Sequence, residues 1–146
     1  MRRIIDRAIT LFRWFPILVS ALFWVVVARL WLTFGTHRSL RPKVFERSLK
    51  EAQDIAAWRV GRVVWAVHHA ARLVPRASCL TQGLAAQIML ARRGLPSTLH
   101  IGVKKDTGTP FEAHAWLTFR GRIILGHREN LLARYSQLAE YGPTAA

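Results

Sequence analysis

Two hydrophobic periods divide the second half of this chain. From about Ala57 to Leu73, Val60, Val63, Val64, Val67, Ala71 and Val74 recur at helical spacing, which predicts a helix with one core-facing stripe. Pro75 ends it. Leu80, Leu84, Ile88 and Ala91 form the next stripe, with Ser78 at the N-cap position and Gly94 where a left-handed C-terminal cap falls. After Pro96 the period drops to two. Leu99, Ile101 and Val103 alternate with Thr98, His100 and Gly102. Lys104 to Pro110 reads as a polar turn. In the strand that follows, Ala113, Ala115, Leu117 and Phe119 share one face, and Glu112, His114 and Trp116 share the other. Arg120-Gly121 is a tight-turn candidate, and residues 122–126 return antiparallel. Asn130 to Ala146 predicts a short helix through Leu131, Leu132, Tyr135 and Leu138, fraying at Gly142-Pro143. Helices followed by a meander make an α+β fold, with one helix packed across a small antiparallel sheet.

The first half is apolar and punctuated by arginine. Phe15 to Ala28 carries no charge and lies between Arg13 and Arg29, a run shorter than the ~20 residues that span a bilayer. It reads as a helix, roughly Ile17 to Phe34, packed on the rest of the fold or on a partner protein. The competing reading is a membrane-surface helix with basic flanks, for which Trp14, Trp24 and Trp31 are equally suited. Met1-Arg2-Arg3 before an apolar run imitates a signal peptide, but no small-residue cleavage site follows. His37 to Lys50, with Pro42, marks a connector that overlaps a second helix over Phe45–Ala56. The expected organisation is therefore an N-terminal basic and apolar helical region, residues 1–56, and a core over residues 57–146, forming one compact unit.

Charge adds a preference without a motif. There are 22 Lys+Arg against 8 Asp+Glu, a net +14, and fourteen of those basic side chains fall in residues 1–76. Such a field attracts acidic peptides, nucleic acid or anionic lipid without choosing among them. No RNA or DNA motif accompanies it, so nucleic acid is not an expected partner. The single cysteine excludes an internal disulfide and suits a reducing, cytoplasmic setting, with membrane association as the added option. Adjacent His68 and His69 face different directions on a helix, so no metal site is expected there. No Gly-rich phosphate loop is present, and no cofactor is expected.

The candidate chemistry lies in Cys79 and His114. A cysteine in the first turn of a helix gains from the helix N-terminus, and an imidazolium beside it favours the thiolate further. The plainer alternative is a small buried hydrophobe. Gln82, one turn on from Cys79, and Trp116, beside His114, are candidates for lining a substrate cleft.

Four segments carry a resemblance. Cys79-Leu80-Thr81-Gln82-Gly83-Leu84-Ala85-Ala86-Gln87, Arg92-Arg93-Gly94-Leu95-Pro96, Leu99-His100-Ile101-Gly102-Val103 and Ala113-His114-Ala115-Trp116-Leu117 resemble the stand-alone leader peptidases of lasso peptide biosynthesis. These are transglutaminase-like cysteine proteases, and the likeness is close over about residues 58–126. It implies a papain/transglutaminase-like core with Cys79 as nucleophile and His114 as base. The implied substrate is a precursor peptide, cut at its leader–core junction. The implied partners are a small leader-recognition protein and an ATP-dependent cyclase similar to asparagine synthetase. The position that the family usually gives to an acidic residue is Gly126 here. His127 or Glu129, then Asn130, a backbone carbonyl or a water, are the candidates to orient His114; Glu112 points in parallel with it and converges poorly. Rival functions are a transglutaminase-like acyltransferase that keeps the same pair, and a non-enzymatic basic protein on membrane or nucleic acid.

Overall fold

A stripe of alternating large and small residues, Ile17, Ala21, Val25 and Ala28, seats the first helix on the protein. The computed structural model describes residues 2–34, 55–105 and 111–142, with side chains from residue 14 onward in the first segment and from residue 57 in the second. Helix α1 (Arg2–Phe34) packs this stripe on α2 (Ile55–Ala71) and α3 (Cys79–Ala91). The alanines let the backbones approach, and the branched residues fill the space between them. The expected packed helix is thus longer at its N-terminal end than Ile17. The helix expected over Phe45–Ala56 lies outside the described residues up to position 54, and its last two positions begin α2.

Helix α2 buries Val60, Val63, Ala66, Val67 and Ala70, close to the predicted stripe. It ends at Ala71 rather than Leu73. The N–H groups of Arg72, Leu73 and Val74 bond three residues back, to His69, Ala70 and Ala71, in a tightened exit before Pro75.

Helix α3 departs from a single stripe. Thr81, Leu84, Ala85, Ala86, Gln87, Met89 and Leu90 are buried, while Leu80, Ile88 and Ala91 are only half-buried. The reason is its place between α1 and α2 on one side and the sheet on the other, which buries most of its circumference. Its start is capped by Ser78, whose Oγ accepts from the Thr81 N–H at 3.2 Å. At its end, Gly94 (φ 71°) sends its N–H to Ala91 O and Leu95 bonds Leu90 O, a left-handed termination that glycine adopts without strain.

Four antiparallel strands follow, in the order β3-β2-β1-β4. They are β1 (Thr98–Lys104), β2 (Ala113–Phe119), β3 (Arg122–Leu125) and β4 (Tyr135–Tyr141), with a single helical turn, α4 (Leu131–Arg134), before the last. The β2–β3 turn has φ 51° at Arg120 and 76° at Gly121, as a two-residue hairpin requires. The tail therefore corrects the sequence expectation: only Leu131–Arg134 is helical, and Tyr135–Tyr141 pairs with β1. Without that pairing β1 would leave one row of backbone groups unbonded. Buried Gln87 locks the arrangement, donating from Nε2 to Ser97 O at 3.2 Å and to Tyr141 O at 2.6 Å.

Leu99, Ala115, Leu117 and Phe119 join the core shared with the three long helices. Gly83 is a point of close approach: a Cβ there would lie 2.6 Å from Leu99 Cδ1.

Candidate active site

The β2–β3 ladder breaks where the site lies. A register shift between Leu117 and Thr118 sets Leu117 opposite Leu125, the last β2–β3 pair. A regular hairpin would have put Gly126 opposite Ala115 and His127 opposite His114; the bulge displaces that expected register. Ala115 thus lies beyond the last pair, and its N–H donates to Cys79 Sγ at 3.4 Å instead. The helix start and the histidine strand are joined at this bond. Cys79 is half-buried and free of disulfide.

His114 is buried, with 4% of its surface exposed. Its Nε2 lies 2.7 Å from Gly126 O. A carbonyl oxygen has no proton to give, so Nε2 carries the hydrogen and Nδ1 of the neutral ring is left as the acceptor. Gly126 has φ 78°, and a Cβ on it would stand 2.5 Å from Ala115 O and 3.0 Å from Trp116 Cα. Gly126, where the resemblance implies an acidic residue, has no room for a side chain and supplies its own carbonyl.

The other candidates for orienting His114 stand elsewhere. His127 and Glu129 are exposed, and no hydrogen bond among the described residues joins either to His114. Glu112 is held by two other groups. Tyr135 Oη donates to its Oε1 at 2.7 Å and Arg128 Nη1 at 2.8 Å, while Arg128 also reaches Tyr135 Oη at 3.2 Å. The Tyr135 hydrogen bond does most to hold the Glu112 carboxyl below its ordinary pKa; desolvation opposes it, and the hydrogen bond and charge of Arg128 add to the lowering. The same bond to Glu112 raises the Tyr135 phenol above its own. Tyr135 packs on the imidazole of His114, ring centroids 5.4 Å apart. Arg128 and Tyr135 escaped the sequence reading, since no local spacing links either to His114.

Trp116 does not line an open cleft. It is 2% exposed, stacks on His100 at 5.4 Å and packs with Leu131 and Tyr135 under α4. The strand alternation places it correctly with His114, but α4 and β4 cover that face. Gln82 is half-buried and turns back toward Ala77 O at 3.5 Å. In α2, His69 Nδ1 donates to Trp65 O at 2.8 Å, whereas His68 Nε2 accepts from Arg72 at 3.2 Å.

The helix start also offers donors. The Thr81 N–H is taken by Ser78 Oγ and the Gln82 N–H by Ser78 O, and neither bond uses the N–H groups of Cys79 and Leu80. The profile of the transglutaminase-like superfamily matches residues 22–140, from within α1 to β4. The chain belongs to the transglutaminase-like superfamily. This superfamily includes cysteine proteases and acyltransferases, chemistry that runs through a thiolate and a covalent acyl-enzyme. No curated protein and no solved structure gives a significant match. In this chain the helix-start cysteine meets the backbone of the strand one residue beyond His114, and the hydrogen-bond partner of that histidine is a main-chain oxygen.

Proposed function

We propose that this chain is a cysteine peptidase that removes the leader from a lasso peptide precursor, with Cys79 as nucleophile and His114 as general base and acid. The observation that carries the catalytic half is the Nε2–H to Gly126 O bond, which leaves Nδ1 free to accept a proton on the ring that Cys79 adjoins through Ala115. The choice of a lasso precursor is supported by the four sequence segments that resemble those leader peptidases.

In this reading His114 Nδ1 takes the thiol proton, and the thiolate adds to the peptide carbonyl. The oxyanion is held by N–H groups of Cys79 and Leu80 at the positive end of α3. The carbon–nitrogen bond then breaks as the imidazolium passes its proton to the leaving amine. Water, deprotonated by the same imidazole, hydrolyses the thioester and restores the thiol. The Gly126 carbonyl stabilises the charged ring in both halves. The leader is presented in trans by a small recognition protein, and the freed amine passes to the ATP-dependent cyclase.

Mass measurement of a precursor peptide after incubation with the chain, with and without the recognition protein, tests the assignment. Cys79→Ala abolishes leader removal, Cys79→Ser leaves at most a trace, and His114→Ala loses nearly as much as Cys79→Ala because the two act as a unit. The recognition protein speeds cleavage by raising local substrate concentration. Substantial cleavage by Cys79→Ala overturns the peptidase assignment. An amide product with an added amine, in place of free acid, identifies an acyltransferase.

A further inference from the structure

Helix α1 is apolar on both sides, and the protein uses only one of them. Between Trp14 and Phe34 the single charged residue is Arg29. The stripe from Ile17 to Ala28 faces α2 and α3. On the opposite arc stand Phe15 (64% exposed), Val19, Phe23 (58%), Val26, Leu30 and Phe34 (82%). Only 17% of the most apolar window in this stretch is buried within the protein. At 1.5 Å per residue the 21 residues make a ridge about 31 Å long, an apolar surface far more continuous than the scattered exposed side chains of soluble domains.

The surroundings of the ridge favour an anionic cover. Four arginines, Arg2, Arg3, Arg7 and Arg13, precede it in the sequence, and the chain carries a net +14. On the inner side of its first turns, between α1 and α2, a cavity of about 430 Å³ is lined by Ile17, Trp58, Arg59, Arg62 and Arg93. Desolvation, then the nearby charges of Arg62 and Arg92, holds Arg93 below its ordinary pKa. A helix of this length could cross a bilayer alone. Attached by its inner stripe to α2 and α3, it would draw the exposed Arg59, Arg72 and Arg92 into hydrocarbon, at a prohibitive cost. Lying flat, it keeps those charges at the headgroups and buries only the outer arc.

We propose that the outer face of α1 docks on an anionic phospholipid bilayer, lying along the headgroup–acyl boundary and holding the Cys79 site at the membrane surface. This docking does not depend on which bond the enzyme cuts.

Flotation of the full chain with vesicles tests it. The chain floats with vesicles of phosphatidylglycerol and phosphatidylethanolamine at low salt, and at least ten-fold more weakly with phosphatidylcholine alone or in 1 M salt, where charges are screened beyond about 3 Å. The double variant Phe23→Glu, Val26→Glu loses at least ten-fold in partitioning with an unchanged melting curve, because both side chains already face out. On the parent chain, lipids brominated near the headgroup quench tryptophan fluorescence more than lipids brominated at the chain end. Failure to float with the anionic vesicles overturns the proposal, as does strongest quenching from the chain ends, which marks a spanning helix. A chain that fails to float but forms a dimer, or captures the leader-recognition protein, in a manner abolished by the two glutamates assigns the ridge to a protein partner instead. Glutamate variants that float like the parent likewise overturn it.

Discussion

Placing an acidic residue at Gly126 should damage this protein. Two features of the position oppose any side chain. Its backbone sits at φ 78°, where an L-residue costs about 1–2 kcal/mol. Its Cβ would lie 2.5 Å from Ala115 O, so the strand end must retreat by about 0.5 Å to reach even 3.0 Å and by about 0.9 Å to make an ordinary contact. The larger shift stretches the 2.7 Å bond from His114 to Gly126 O past hydrogen-bonding range. A hydrogen bond to an imidazolium is worth about 1.5–3 kcal/mol, and its loss in the transition state corresponds to roughly 10- to 150-fold in rate. Gly126→Ala and Gly126→Asp should both fall within that range, while His127→Ala and Glu129→Ala stay within about two-fold of the parent, given their exposure. Single-turnover cleavage, with active thiols counted by iodoacetamide at a temperature well below unfolding, separates a slower site from a smaller folded fraction. Cleavage by Gly126→Asp at or above the parent rate would refute the reasoning, and a ten-fold loss in His127→Ala or Glu129→Ala would move the orienting role to that side chain.

Three further outcomes follow from the same structure. Glu112, held below its ordinary pKa, contributes stability that is present above the usual carboxylate range of about 4.3 and lost as pH falls through the folded value. Tyr135, raised, contributes stability that is present below about 10 and lost as pH rises toward its folded value. The acid decline of the melting temperature should therefore be shallower in Glu112→Gln, and in Tyr135→Phe the alkaline decline should be shallower as well. Gln87→Ala leaves the carbonyls of Ser97 and Tyr141 without their donor and should cost about 2–4 kcal/mol in urea unfolding, with β4 gaining hydrogen exchange first. Trp116→Ala should cost about 3–5 kcal/mol, as a buried aromatic does, rather than act on substrate affinity alone.

Local chemistry made much of the site legible in the sequence. Ser78 as a cap, Gly94 as a left-handed stop and Arg120-Gly121 as a hairpin turn each depend on a few neighbouring residues, and each sits where the spacing puts it. Period-two alternation placed His114 and Trp116 on one face and the core residues on the other, because side-chain direction along a strand is fixed by the backbone itself. Distant partners decided the rest. Residues 135–141 read as the end of a helix through their apolar spacing, yet the open edge of β1 drew them into the sheet. The bulge at Leu117, unmarked by any motif, ended the β2–β3 ladder early enough to free the Ala115 N–H for Cys79 and to aim the Gly126 carbonyl at His114. Main-chain groups are the same at every residue, so composition carries no trace of where one will be used. The apolar run of α1 was equally plain in the sequence, but which side would be covered depended on α2 and α3, since a helix that is apolar all round contains no preference of its own.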